Sequence, residues 1–341
     1  MARGEIIRKL FQGFSRNERE VFYAAAMALI QEEKSKNHNL LARDLERILQ
    51  NGDSRSLPAS NHLRQGYPET PKDKETGLSL VDVKQSNLAW NDVVLSQDNL
   101  AILERVTLEN RKQETLAAYG LQPKSKLLFC GPPGCGKTLT ANVLSGVLGI
   151  PLVYVNLSAL FSSYLGETAT NLKKIFDYVE KGEWVVLFDE FDAIAKDRNT
   201  LNEHGEIKRL VNSLLQLIDS STSNSLFVAA TNHESLLDSA VWRRFDEVVL
   251  FEVPSVELRE ALLRRYLSKL RHADINIRDF ANDLDQATGA DIERICTDAI
   301  KTVILRGDRK IMSADLNTAV AHYFERNRIV EKSEKALESK V

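Results

Sequence analysis

The spacing of apolar positions changes character several times along the chain. Near the N-terminus, Val21, Phe22, Ala25, Ala26, Leu29 and Ile30 recur at helical intervals and share one face. Ser15 with Glu18 supplies a capping box ahead of them. Asn39 is placed to cap a second helix with Leu40, Leu41, Leu45, Ile48 and Leu49 on one side. Residues 1–50 therefore predict a helical hairpin, either packed on the rest of the protein or serving as a docking module. From 51 to 79 the periodicity vanishes. Pro58, Pro68 and Pro71 fall there with Gly52, Gly66 and Gly77, a composition that predicts an extended linker.

Between 80 and 254, short apolar runs alternate with helical patterns. The runs 127–130, 152–156, 185–188, 226–230 and 248–251 are nearly continuous in apolar residues, as strands covered on both faces are. Helices are expected after Gly136, near Thr168 and near Glu206, and this alternation predicts an α/β domain around a parallel sheet. From 255 to 328 the pattern is helical throughout. Leu258, Leu262 and Leu263 mark one helix, Ile292, Ile295, Cys296, Ala299 and Ile300 another, and Ser313 is placed to cap a third. Residues 329–341 are mostly charged and predict a frayed tail.

Composition narrows the function classes. At about 150 residues per domain, the 341 residues suggest roughly two domains. Lys+Arg 45 against Asp+Glu 48 leaves a net charge of −3, which argues against a strongly basic nucleic-acid binder. No run approaches the ~20 apolar residues of a membrane span, and no secretory signal pattern is present. Cys130, Cys135 and Cys296 show no paired CxxC spacing, so neither a disulfide framework nor a zinc site is expected. A reducing cytoplasm is the simplest setting.

Two motifs carry chemistry. Gly131-Pro132-Pro133-Gly134-Cys135-Gly136-Lys137-Thr138 fits G-x-x-x-x-G-K-[ST], with an expected strand before it and a helix beginning with Leu139 after it. Such glycines let backbone N–H groups converge on phosphate oxygens, and the following helix adds its positive end. Lys137 would place a point charge on the β/γ-phosphates, and the Thr138 hydroxyl would ligate Mg2+. About 50 residues on, the run 184–188 ends in Asp189 and Glu190. Acids at the carboxyl end of a buried strand face the crevice where α/β sheets bind ligands. Asp189 is then expected beside Mg2+, and Glu190 is the better general base for a water. The competing structural reading makes Asp189 only a cap for a following helix.

The pair GPPGCGKT and VVLFDEFDAIAKDR resembles the AAA+ ATPases, and within them the AAA clade. The resemblance covers roughly residues 85–325. It implies a P-loop NTPase fold with a five-stranded parallel sheet in the order 5-1-4-3-2, helices on both faces and a C-terminal helical lid. It implies ATP and Mg2+ as cofactors, with Gly131 through Leu139 and Asp189 around the nucleotide. Trp90-Asn91-Asp92-Val93-Val94 is similar to the stretch that contacts adenine, and Gly289-Ala290-Asp291 to the lid motif. Asn232 resembles the sensor that orients the attacking water. Arg243 and Arg244 resemble arginine fingers that reach a neighbouring subunit's γ-phosphate, which implies a homo-oligomeric ring, hexameric by family. Tyr164 and Leu165 look like a pore loop that grips a polypeptide, with a second pore loop expected near 196–206.

The resemblance implies a ring motor acting on a protein substrate. A nucleotide-gated assembly platform is the rival from another class, and a nucleic-acid remodeller is disfavoured by charge. The hairpin, linker and single module together resemble bacterial AAA ATPases that occur beside subtilisin-like serine proteases, including in plasmid-incompatibility and phage-defence settings. The sequence contains no HExxH or GxSxG, so a protease partner would be separately encoded. Cys135 adjoins an expected helix N-terminus, which lowers a thiol's pKa; a reactive thiol and an inert small residue are both open.

Overall fold

The computed structural model describes residues 67–161, 165–192, 204–233, 239–268, 270–272 and 275–338, together with Ala25, Met27 and Ala28. The chain divides into two compact units, residues 1–66 and 67–341. In the first unit Ala25, Met27 and Ala28 are helical; the remainder of the expected hairpin lies outside the described residues.

The second unit is built on one sheet. Its strands are β1 (Val81–Lys84), β2 (Lys126–Cys130), β3 (Leu152–Val155), β4 (Val185–Phe188), β5 (Leu226–Thr231) and β6 (Glu247–Leu250). They lie in the order β1-β3-β4-β5-β2-β6. The five from β2 to β6 are mutually parallel and match the order the family resemblance implies. The sheet is nevertheless six-stranded, not five-stranded. β1 pairs antiparallel with β3, Val81 opposite Val155 and Lys84 opposite Leu152. Its alternation of valine with charge suits an edge strand with one wet face, and it covers a parallel edge that would otherwise be open.

Side chains alternate across the sheet, so each parallel strand feeds two cores. Leu128, Val153, Val186, Phe188 and Phe227 pack on one face with Leu172, Ile175 and Phe176 of α5 (Leu165–Val179) and Leu214 and Ile218 of α6 (His204–Ser220). Leu127, Phe129, Val185, Leu187 and Val228 pack on the other with Leu103 and Val106 of α1 (Gln97–Arg111) and Ala141 and Leu144 of α3 (Lys137–Leu148). Smaller helices, α2 (Gln113–Ala118), α4 (Leu157–Phe161) and α7 (Ser239–Trp242), complete this layer.

The lid has its own core, with Leu263, Leu267, Phe280, Ile292, Ile295, Cys296, Ala299 and Leu316 buried together. These come from α8 (Val256–Leu267), α9 (Ile277–Asp283), α10 (Gly289–Leu305) and α11 (Ser313–Glu338). Ser255 caps α8 by accepting from Leu258 N. Thr288 and Asp291 form the capping box of α10. Three expectations are corrected here. The lid is not purely helical, because β7 (Arg271–His272) and β8 (Lys310–Ile311) form a short parallel pair. Ser313 is the first helical residue rather than a cap; Asp315 accepts from Met312 N instead. The charged tail continues α11 as far as Glu338.

The expected linker ends too late. From Tyr67 the chain lies on the α/β layer, with Tyr67 5.9 Å from Trp184 between ring centroids. Asp73 is 2% exposed. Its Oδ1 accepts from Glu75 N, Thr76 N and Thr76 Oγ1, and its Oδ2 accepts from Asn171 Nδ2 of α5 at 2.6 Å. The strap also pairs with itself, Asp73 N donating to Leu78 O and Leu80 N to Pro71 O, and the Asp73 carboxylate ties that turn to α5.

Candidate nucleotide site

The site begins where β2 runs into its loop. Gly131 has φ 134°, and a Cβ there would lie 1.9 Å from Phe251 O, so only glycine fits. Gly134 and Gly136 also have positive φ, 78° and 95°. Among the described residues, the amides of Gly134, Cys135 and Gly136 donate to no other backbone group. Gly136 is the N-cap of α3, so the loop presents donors and the helix its positive end to one spot.

Lys137 is buried, and its Nζ donates to Gly131 O at 2.6 Å and Pro132 O at 2.8 Å. Burial lowers its pKa from the ordinary lysine value, so an anion that arrives there would favour its charged form. Thr138 Oγ1 donates to Asp189 Oδ2 at 2.7 Å. Asp189 follows β4 directly, and its Oδ1 accepts from Glu190 N at 2.9 Å. Glu190 has φ 51°, an uncommon conformation for a residue with a side chain. Asn232 follows β5.

The lid closes the other side. Ala290 N donates to Gly134 O at 3.0 Å, which seats the first turn of α10 on the loop. A Cβ on Gly289 would lie 3.2 Å from Gly134 O. Arg265 of α8 reaches back to Asp92 Oδ1 at 3.2 Å and donates to Asn91 O. The cavity so enclosed measures about 350 Å3. Val93, Pro133, Gly134, Cys135, Gly136, Lys137, Thr138, Leu139, Asp189, Glu190, Asn232, Gly289 and Ala290 all line it. Residues from five separate stretches of sequence meet there. Free loop amides, a lysine and a hydroxyl–carboxylate pair are the donor set a nucleoside triphosphate with Mg2+ requires.

Other expected residues lie elsewhere. Gly131 and Pro132 support the loop from beneath through the Lys137 bonds. Arg243 is exposed and Arg244 half-buried, both away from the cavity. Arg244 is ion-paired with Asp219 of α6, which also accepts from Lys126 Nζ at 2.9 Å. Tyr164 lies outside the described residues. Leu165 opens α5, with its side chain outside them. The second expected pore loop is also outside, up to the start of α6 at His204. Of the two readings open for Cys135 the inert one is favoured: burial pushes the thiol pKa up, outweighing Lys137 beside it.

Leu262, Arg265, Tyr266 and Glu293 also line the cavity, and sequence reasoning missed them as site residues. The spacing of Leu262, Arg265 and Tyr266 at i, i+3, i+4 placed them on one helical face. Nothing in that spacing says that the face looks into the cavity. No helix among the described residues is long and apolar enough to cross a membrane.

The ATPase family associated with various cellular activities (AAA) matches residues 127–253, the stretch from β2 to just past β6. An AAA family ATPase of Sinorhizobium fredii, y4kL, is 40% identical over 323 residues, covering 94% of this chain and 95% of its own. The ATP-dependent zinc metalloprotease FtsH of Lactiplantibacillus plantarum is 29% identical, over 76% of this chain and 37% of its own length. The peroxisomal ATPase pex6 of Schizosaccharomyces pombe is 30% identical, over 76% of this chain and 30% of its own. Likeness along nearly the whole length of one AAA ATPase, shared with an α/β layer and lid that enclose a phosphate loop, places the chain in the AAA family: it is an ATPase that uses ATP with Mg2+.

Proposed function

We propose that ATP is hydrolysed in the cavity between sheet and lid, and that the cycle drives a ring which pulls on a polypeptide. The observation that carries the first half is the meeting of Lys137, Thr138, Asp189, Glu190 and Asn232 in one cavity. Lys137 exchanges its two loop carbonyls for phosphate oxygens, a gain because a charged acceptor bonds an ammonium more strongly. Thr138 and Asp189 would hold the Mg2+, which when bound neutralises phosphate charge. Glu190 takes a proton from the attacking water, and Asn232 orients that water. Gly289 and Ala290 tie the lid to the loop, so filling the cavity bears on the lid.

The positive charge opposite the γ-phosphate comes from a neighbouring copy. Arg243 is the donor in this proposal. It is exposed, whereas Arg244 already has Asp219 as a partner in its own chain. Donation between copies requires a closed ring, hexameric by analogy with the family. Tyr164 is the residue that grips substrate at the ring's axis, where an aromatic offers large contact area at little entropy cost. The proposal extends to a separately encoded serine protease as partner, in a bacterial defence or plasmid-incompatibility setting. FtsH, a metalloprotease by name, is a longer protein of which this chain spans about a third.

The test is capture by the Glu190→Gln protein with ATP, which should bind nucleotide, hold the ring together and retain a protein in the pore. Fluorophosphonate labelling of the captured material reads the protease partnership directly. Tyr164→Ala should lose substrate processing while basal ATP turnover persists. Processing unaffected by Tyr164→Ala would favour a nucleotide-gated platform instead.

A further inference from the structure

We propose that Asp192 is a positioning residue for hydrolysis, fixing Asn232 relative to Glu190. The inference rests on the roles given above to those two residues. Asp192 is 2% exposed. Burying a carboxylate is costly unless hydrogen bonds compensate it, and here the donors come from the neighbouring strand's end. Asp192 Oδ1 accepts from Asn232 N at 3.1 Å and from Thr231 Oγ1 at 3.3 Å. Its Oδ2 faces His233 Nε2 at 4.0 Å. Thr231 Oγ1 in turn accepts from His233 N at 3.1 Å.

The turn that carries Glu190 is stitched to the same strand end. Phe191 N donates to Ala230 O at 2.8 Å. Glu190 itself sits at φ 51°, a conformation that persists only where its surroundings over-determine it. The bond at Phe191 and the carboxylate at Asp192 lie immediately after it and supply that constraint. Residues 189–192 and 231–233 therefore move as one body. The base and the water-orienting amide keep their separation whether or not nucleotide is present. Asp192 does not line the cavity, so it acts through Asn232 and Glu190 rather than on the reacting atoms. Displacing a reacting group by about 1 Å costs on the order of 100-fold in rate, and the loss of this brace frees both segments to shift.

The experiment uses the full chain and measures steady-state ATP turnover, binding of a fluorescent ADP analogue and thermal stability for four variants. Asp192→Ala is expected to lower kcat on the order of 10- to 100-fold while the ADP-analogue Kd stays within about threefold of the unaltered protein. Asp192→Asn should recover most of that loss, because its amide oxygen still accepts from Asn232 N. Thr231→Val, a near-isosteric change, should lower kcat by roughly three- to tenfold at unchanged Kd. Glu190→Gln separates the two claims. If Glu190→Gln is inactive while Asp192→Ala and Thr231→Val turn over at the normal rate, the positioning role is wrong. If Asp192→Ala loses binding as severely as turnover, with Asp192→Asn no better, Asp192 is structural only and the inference is again overturned. Where Asp192→Ala does not fold, Thr231→Val and Asp192→Asn decide, and a normal kcat in Thr231→Val rejects the brace. If Glu190→Gln itself retains turnover, the underlying assignment of the base fails.

Discussion

The phosphate loop and the strap that begins at Tyr67 are both irregular, both rich in proline and glycine, and both without apolar periodicity. They differ in where their backbone donors point. In the strap, Glu75 N and Thr76 N turn inward onto Asp73, which also holds Asn171 of α5. In the loop, the amides of Gly134, Cys135 and Gly136 are left toward the cavity, while its carbonyls are engaged: those of Gly131 and Pro132 by Lys137, that of Gly134 by Ala290 N and that of Gly136 by Thr140. A segment that satisfies its own donors is a brace; one that holds them open is a binding site. The same composition serves either end, and the position of one charged side chain decides which.

The loop half of that contrast breaks most visibly at Lys137. Lys137→Ala should weaken ATP binding by about 100-fold, the worth of a charge-assisted contact, and turnover should fall at least as far. Titration with a fluorescent nucleotide analogue checks it. The strap half is tested at Asn171, which is 1% exposed. Asn171→Ala leaves Asp73 Oδ2 without its α5 donor, and the melting temperature should drop by roughly 5 °C with nucleotide affinity unchanged. Loss of affinity in step with stability would erase the distinction between brace and site.

Acid sharpens the same comparison. The Thr76 amide, and after it the Asn171 side chain, hold the Asp73 carboxyl well below its ordinary value of 3.8. Its contribution to stability is therefore complete above that value and is lost as pH falls below it toward the folded-state value. Acid unfolding followed by circular dichroism should begin at higher pH in Asn171→Ala. The smallest effect is expected at Cys135. Because burial pushes its thiol up, Cys135→Ser should change turnover by less than about twofold, and alkylation at neutral pH should be slow. Fast labelling in the absence of nucleotide would show that the thiol is activated after all.

The parallel strands and the two motifs were legible because their signals are local. An apolar run covered on both faces is the same in any context, and GPPGCGKT needs only its strand and helix to be recognised. The strap was misread because Asp73 makes sense only once Asn171, 98 positions later, is beside it. β1 escaped notice for a related reason: a four-residue strand alternating Val and charge is stabilised by its partner β3, not by its own pattern. Tyr266 and Glu293 belong to the cavity only through the way the lid is seated. Asp192 lies within a recognised string, yet nothing in that string says that its carboxylate, unlike Asp189 and Glu190, does not line the cavity and bonds instead to the end of β5.

The central claim is that nucleotide is cleaved at a boundary between copies, each lending its neighbour Arg243. Mixing two inactive proteins, Arg243→Ala and Glu190→Gln, tests it most directly. Protomers with an intact base would then receive a guanidinium from protomers that lack the base, and ATP turnover should reappear in the mixture. A mixture that assembles into joint rings and remains as inactive as its parts, or an Arg243→Ala protein that hydrolyses ATP normally alone, would contradict the account.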